Sequence, residues 1–177
     1  PPLPNPRWVR WDHDDPGTWP ATASLDERDA SAVPHFIEET ARRATERLLR
    51  SDLQCVLGHA DWETQNLRWR RMQPWAVHDW DSLAWLPEAA MAGAASGTFA
   101  SAEIPTLAPL TSSVAFLAAY QQRRGITFRT EEREVAWAAS LWPAAHNARS
   151  QVLFDRPPFA EEALREQADQ RLALAGA

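Results

Sequence analysis

The sequence predicts a mainly α protein with a small β-hairpin, an α+β fold in one domain spanning residues 1–177. Three observations carry this. Helix signals cover 33–50, 87–100, 111–124, 130–153 and the stretch after Pro158. Short strand-like runs occur only between residues 55 and 78. A chain of 177 residues, 45% of them hydrophobic, suffices for one good core.

Residues 1–30, rich in Pro and Asp, read as an irregular lead-in. Ser31 or Asp29 is expected to cap a helix over 33–50, with Pro34 in its first turn and Val33, Phe36, Ile37, Ala41, Ala44 and Leu48 on one face. Cys55-Val56-Leu57-Gly58 reads as a strand, with the lone cysteine a buried small hydrophobe. Leu67-Arg68-Trp69 and Trp75-Ala76-Val77-His78 form a hairpin around Met72, which sets Leu67 opposite His78. An alanine-rich helix covers 87–100, and the two prolines of 101–110 mark an irregular link. Val114, Phe116, Leu117 and Tyr120 define a helix over 111–124, ended by Gly125. Glu131 and Glu132 suit the positive end of a helix over 130–153, with Pro143 as a kink or break. Pro158 opens a last helix that frays beyond Leu174. The ten tryptophans read mostly as core or interface residues.

The net charge of −6 argues against nucleic acid or an anionic membrane as the main partner, and favours a cationic or neutral substrate. No signal peptide or apolar run of spanning length is visible, which makes the cytoplasm the expected compartment. All 18 basic residues are arginine.

The chemistry concentrates in Gly58-His59-Ala60-Asp61-Trp62-Glu63-Thr64-Gln65-Asn66 and His78-Asp79-Trp80-Asp81. Asp61 stands five residues before Asn66, and Asp79 follows thirteen residues later. This is the order of base, amide metal ligand and carboxylate metal ligand in kinase-type phosphotransferases. From 5 His, 11 Asp and 3 Asn, a chance H-x-D-x-x-x-x-N is expected about 0.005 times, so the motif outranks every other lead. The expected hairpin puts Asn66 and Asp79 across its open end, about 4.5–5.5 Å apart at Cα. Their oxygens suit Mg²⁺, which takes few protein ligands besides water and phosphate. Turn capping explains Asp61 and Asn66 singly, but not Asp79 in register with them. Asp81 is a further candidate metal ligand.

The segment 33–88 resembles the C-terminal lobe of the aminoglycoside phosphotransferase superfamily, which includes choline-kinase-like and homoserine-kinase-like enzymes. The resemblance rests on the strand 55–58, the run His59 to Asn66, the hairpin, and Val77-His78-Asp79-Trp80. It implies Asp61 as catalytic base, His59 as support for the loop, Asn66 and Asp79 as ligands of Mg²⁺ and its nucleotide, and ATP or GTP as phosphoryl donor. Ala60 replaces the family's usual glycine, and Leu86-Pro87-Glu88 stands where the family often has a further Asp; Glu88 is the candidate substitute.

The resemblance also implies a protein-kinase-like lobe without its nucleotide-binding N-terminal partner, since no lysine and no G-x-G-x-x-G loop is present. The opening Pro1-Pro2-Leu3-Pro4-Asn5-Pro6 then reads as a cut through a longer protein, or as a processed end. On this reading 31–100 form the catalytic and metal-site core, and 101–177 a helical substrate-side subdomain that selects a small-molecule hydroxyl. Asp12 and Asp14, with Asp15 among Trp8, Trp11 and Trp19, are candidate substrate contacts for a polycationic ligand, or simply a loop over the core. Two other classes stay open. One is a metal-dependent hydrolase built on His59, Asp61, His78, Asp79 and Asp81. The other is a non-catalytic kinase-like binding domain.

Overall fold

The computed structural model describes residues 5–99 and 106–177. Its order is α1 (Ala23–Asp26), α2 (His35–Leu49), β1 (Cys55–His59), β2 (Leu67–Arg70), β3 (Gln73–Val77), β4 (Leu83–Pro87), α3 (Glu88–Thr98), α4 (Leu110–Arg124), α5 (Thr130–Leu153) and α6 (Phe159–Ala175), with short 3-10 turns between some of them. The fold is α+β and mostly helical, as the periodicities indicate. Among the described residues, no helix is long and apolar enough to cross a membrane. Residues 100–105, which include the first half of the expected irregular link, lie outside the described ones.

Helix α5 is the axis of the molecule. It packs against α2, α3 and α6, and Leu141, Ala144, Ala145 and Ala148 are wholly buried along it. The helix runs unbroken through Pro143, where the sequence predicts a kink or break. On α2, Ile37, Ala41, Ala44 and Leu48 form the buried face, with Phe36 half-buried at its edge. Neither expected residue caps α2: Asp29 accepts from Ser31 N (2.9 Å) in the preceding 3-10 turn, and Pro34 takes the N-cap position. Gly125, at φ 67°, ends α4 as expected. Helix α6 does not fray after Leu174, because Ala175 is wholly buried and Arg43 donates to the Ala177 carbonyl.

Two small residues set how closely α3 approaches α5. A Cβ on Gly93 would sit 2.0 Å from the Ala136 carbonyl oxygen, and one on Gly97 2.7 Å from that of Ser140. The pairs 93/97 and 136/140 share the four-residue spacing that stacks side chains along one helix face, so the backbones meet with nothing between them. A second buried feature is Arg171, fully enclosed, whose guanidinium donates to Ser140 Oγ (2.9 Å), Ser113 Oγ (2.9 Å) and the Ala108 carbonyl (2.6 Å). Burial pulls its pKa down to about 10. Arg171→Ala is expected to cost about 3 kcal/mol of stability, because it strands three buried acceptors and opens a cavity; a denaturant midpoint equal to that of the unaltered chain would contradict this.

Strand β1 pairs antiparallel with β4, from Cys55 opposite Pro87 to His59 opposite Leu83. The sequence does not announce β4. Its inner residues Ala84 and Leu86 are buried while Trp85 between them is exposed, the alternation of a half-covered strand. Cys55 is half-buried rather than buried, and burial raises its thiol pKa. The tryptophans are less internal than expected. Trp19, Trp137 and Trp142 are buried, whereas Trp69, Trp75, Trp80 and Trp85 are exposed. Val114 is likewise half-exposed on α4.

The hairpin β2–β3 forms, but its register differs from the expected one. Arg70 pairs with Gln73 across the two-residue turn Arg71-Met72, where Arg71 has φ 57°. This turn sets a shorter register than expected, and a bulge between Arg68 and Trp69 recovers only one residue of it, so Leu67 faces Val77 rather than His78. Asn66 therefore faces His78, whose amide donates to the Asn66 carbonyl (2.8 Å). Asp79 lies one residue past the expected cross-strand position.

Candidate functional site

The loop that leaves β1 is pinned on both sides. Ala60 N donates to the Ser82 carbonyl (2.9 Å), and Thr64 N to the Phe99 carbonyl (2.9 Å). The methyl group of Ala60 sits in a small core with Val9, Ala84 and Leu86, and its φ is not positive, so the loop needs no glycine there. Glu63 N turns back to the Asp61 carbonyl (3.0 Å), and a single 3-10 turn over Thr64–Asn66 follows.

That turn aims Asn66 at Asp61. Asn66 Nδ2 donates both to the Asp61 carbonyl (2.9 Å) and to Asp61 Oδ2 (2.9 Å). With both amide hydrogens committed, Asn66 Oδ1 is the atom left for a cation. Burial raises the Asp61 pKa, and the nearby charge of Asp79 raises it further; the Asn66 hydrogen bond and His59 oppose this.

Asp79 reaches the site by a different route from the one the hairpin predicts. It adopts a left-handed conformation (φ 63°, ψ 49°), which Asp tolerates better than most residues. This turn leads into the 3-10 turn Trp80–Ser82. Asp81 and Ser82 Oγ (2.8 Å from Asp79 Oδ2) hydrogen-bond the Asp79 carboxyl and hold its pKa below the usual carboxylate range, with His59 adding to the effect. Asp79 and Asp81 are both exposed.

His59 braces this arrangement. Its Nε2 donates to the His78 carbonyl (2.9 Å), and its ring meets Trp62 and Trp80 edge-on at 5.7 and 5.8 Å. The histidines therefore serve the loop and do not join a metal cluster. Among the described residues, no group of three or more His, Cys, Asp or Glu side chains is arranged to hold a metal, so the His/Asp cluster of the hydrolase expectation has no counterpart in the geometry.

The remaining candidates lie apart from Asp61. Glu88 is tied to Arg124 (2.7 Å) and to the Tyr120 hydroxyl (2.6 Å), and Arg124 beside it lowers its pKa. It lines a cavity of about 560 Å³ on the other side of the loop, with His59, Trp62, Met91 and Phe116. Asp12 and Asp14 are exposed, and Asp12 lies nearest Arg10 (3.9 Å). Neither reaches the Asp61 cavity; of that acidic, tryptophan-rich segment, only Trp8 does.

That cavity, about 250 Å³, brings Asp61 and Trp8 together with Glu63, Gln65, His146 and Asn147. Glu63 was not legible as a site residue. It is buried, Gln65 Nε2 donates to it (2.7 Å), and burial, then the charge of Asp61, pushes its pKa up to about 7. Its only sequence signal is its place two residues after Asp61, and the turn that brings Glu63 N to the Asp61 carbonyl returns it beside that residue. His146 and Asn147 arrive because α5 continues past Pro143. Burial lowers the His146 pKa, helped by Arg149.

Glu63 gives the fold a pH dependence. The folded chain keeps a proton that the unfolded chain releases near pH 4.5, so the stability it confers is complete below that value and is lost as pH rises through about 7. Allowing for partial hydration, the loss is on the order of 2 kcal/mol. Glu63→Gln is expected to remove it, gaining stability at pH 8 and little at pH 4. Parallel stability–pH curves for the two proteins would contradict the assignment.

No family model, no curated protein and no solved structure matches this chain.

Proposed function

We propose that the chain is the catalytic-loop half of a Mg²⁺- and nucleotide-dependent phosphotransferase that phosphorylates a hydroxyl of a small molecule. The observation that carries this reading is the meeting of Asp61 and Asn66 at 2.9 Å, with the charge of Asp79 felt at Asp61. These are the three residues whose order in the chain matches a kinase catalytic loop; a pinned loop holds the first two together and a left-handed turn carries the third.

Each residue then has a task. Asp61 takes the proton from the attacking hydroxyl; its raised pKa suits a base that must bind a proton during the reaction and give it up afterwards. Asn66 fixes the Asp61 carboxylate with one side of its amide and offers Oδ1 with the other. The Asp79 carboxylate, with Asp81 beside it, would join Asn66 Oδ1 in holding Mg²⁺, a cation that takes few protein oxygens besides water and phosphate. When bound there, the ion neutralises charge on the phosphoryl oxygens. His59 keeps the loop and the Asp79 turn in register through the His78 carbonyl. ATP or GTP is the donor, and its base and outer phosphates rest on an N-terminal lobe beyond these residues, as the likeness to the aminoglycoside phosphotransferase superfamily implies.

The test is nucleotide consumption with a panel of small hydroxyl compounds, by this chain and by a form carrying the N-terminal lobe, with Mg²⁺ and then with excess EDTA. Acceptor-stimulated turnover that EDTA abolishes is the expected result. No turnover and no nucleotide binding by the longer form would replace this reading with that of a non-catalytic domain.

A further inference from the structure

The catalytic loop separates two cavities of different character. His59 and Trp62 face the larger one, which Met91 and Phe116 make apolar; Asp61, Glu63 and Gln65 face the smaller. Across the smaller cavity stand His146 and Asn147 of α5, and Trp8 forms a side wall. Trp8 is held in place through its own carbonyl, which accepts from Trp142 Nε1 (3.1 Å).

We propose that this smaller cavity is the acceptor pocket and that it takes a neutral polyol of single-ring size, a monosaccharide or cyclitol. The assignment rests on the phosphotransfer reading for the word acceptor, and on the lining for the word polyol.

Every hydroxyl is both donor and acceptor, so a ring bearing several of them needs both kinds of partner within one small space. Carboxyl groups accept, primary amides donate and accept through adjacent atoms, and a neutral imidazole does one at each nitrogen. Asp61, Glu63, Gln65, Asn147 and His146 supply all three types. Four of them carry paired heteroatoms, which can span neighbouring hydroxyls. An indole adds a flat apolar wall for the C–H face of a ring.

The same lining disfavours the other acceptors. A quaternary ammonium group is recognised by a cage of several aromatic faces, and among the described residues Trp8 is the one indole or phenyl ring of this cavity. A volume of about 250 Å³ falls below the ~300–1,000 Å³ of pockets for drug-sized ligands, too small for a multi-ring aminoglycoside. Asp61 forms part of the wall, so a bound hydroxyl lies within reach of the proposed base.

Saturation-transfer NMR on the 177-residue chain tests this without nucleotide or Mg²⁺. The probes are D-glucose, D-ribose, myo-inositol, choline and a three-ring aminoglycoside. At least one polyol is expected to bind, and more tightly than choline or the aminoglycoside. Gln65→Ala, at an exposed position, and Asn147→Ala are each expected to weaken it about 3- to 10-fold. Trp8→Ala is expected to weaken it at least as much, and Phe116→Ala, in the other cavity, to leave it unchanged, with circular dichroism confirming the fold of each variant. Tighter binding of choline or the aminoglycoside, no polyol binding, or binding indifferent to both Trp8→Ala and Asn147→Ala would overturn the proposal. Polyol binding with neither turnover nor nucleotide binding by the longer form would retain the pocket and remove the phosphotransfer reading. Phosphorylation of choline without polyol binding would do the reverse.

Discussion

Asp61→Asn is expected to lower acceptor-stimulated nucleotide turnover by about 10²–10⁴-fold, the usual contribution of a positioned general base. Nucleotide binding should change little, because the Asn66 and Asp79 oxygens proposed to hold the metal are untouched. The substitution is close to isosteric, and the amide oxygen it introduces can still accept from Asn66 Nδ2. Stability supplies an independent check on the cause. Asp61 has a raised pKa in the folded chain, so its ionisation works against the fold as pH rises through that value. The variant escapes this, and its melting temperature should equal or exceed that of the unaltered chain at pH 8, with no gain at pH 3. An inactive variant that is at least as stable has not lost its fold. Equal losses of turnover and nucleotide binding would instead make Asp61 a structural or nucleotide-binding residue, and unchanged turnover would remove it from the mechanism.

Gly93→Ala is the substitution with the largest expected effect on stability, and local and tertiary arguments predict opposite signs for it. Within a helix, alanine is favoured over glycine by about 1 kcal/mol. In the fold, the added methyl carbon would lie 2.0 Å from the Ala136 carbonyl oxygen and 2.6 Å from the Ala136 Cα. These atoms belong to the backbone of the central helix and cannot rotate aside. Relief requires α3 to withdraw from α5, which opens the interface around Ala89, Ala92 and Ala139. A cost of about 3 kcal/mol or more is expected, at the upper end for overpacking, against a total stability of about 5–15 kcal/mol. Gly97→Ala should cost less, since its nearest contact is 2.7 Å from a single carbonyl oxygen. Urea denaturation of both variants checks the order. Stabilisation by Gly93→Ala would mean that α3 and α5 do not meet as described.

Because α3 continues directly from β4, and β4 holds β1, this crossing also bears on the site. A displaced α3 would pull on Ser82 and Phe99, whose carbonyls pin the catalytic loop. Loss of activity in Gly93→Ala should therefore accompany its loss of stability, unlike in Asp61→Asn.

Helices α2, α3, α4, α5 and α6 were legible in the sequence because the signals that make them are local. Apolar spacing, the acids at the start of α5 and the glycine after α4 all act within a turn or two. The pairing of Asp61 with Asn66 was legible too, since the two stand five residues apart with a single turn between them. Tertiary structure alone decided the rest. The tight turn at Arg71-Met72 set a shorter register than expected, of which the bulge at Arg68/Trp69 recovered one residue, and Asp79 came to lie in a left-handed turn just past β3. Strand β4 exists because β1 lies beside it, 24 residues earlier at His59 and Leu83. Glu88 met Arg124 instead of the site. Burial turned Glu63 from a surface-type residue into part of the cavity wall, and the unbroken α5 delivered His146 and Asn147 opposite Asp61. Burial, register and pKa all depend on neighbours far away in the chain, and local pattern carries no information about which neighbours those will be.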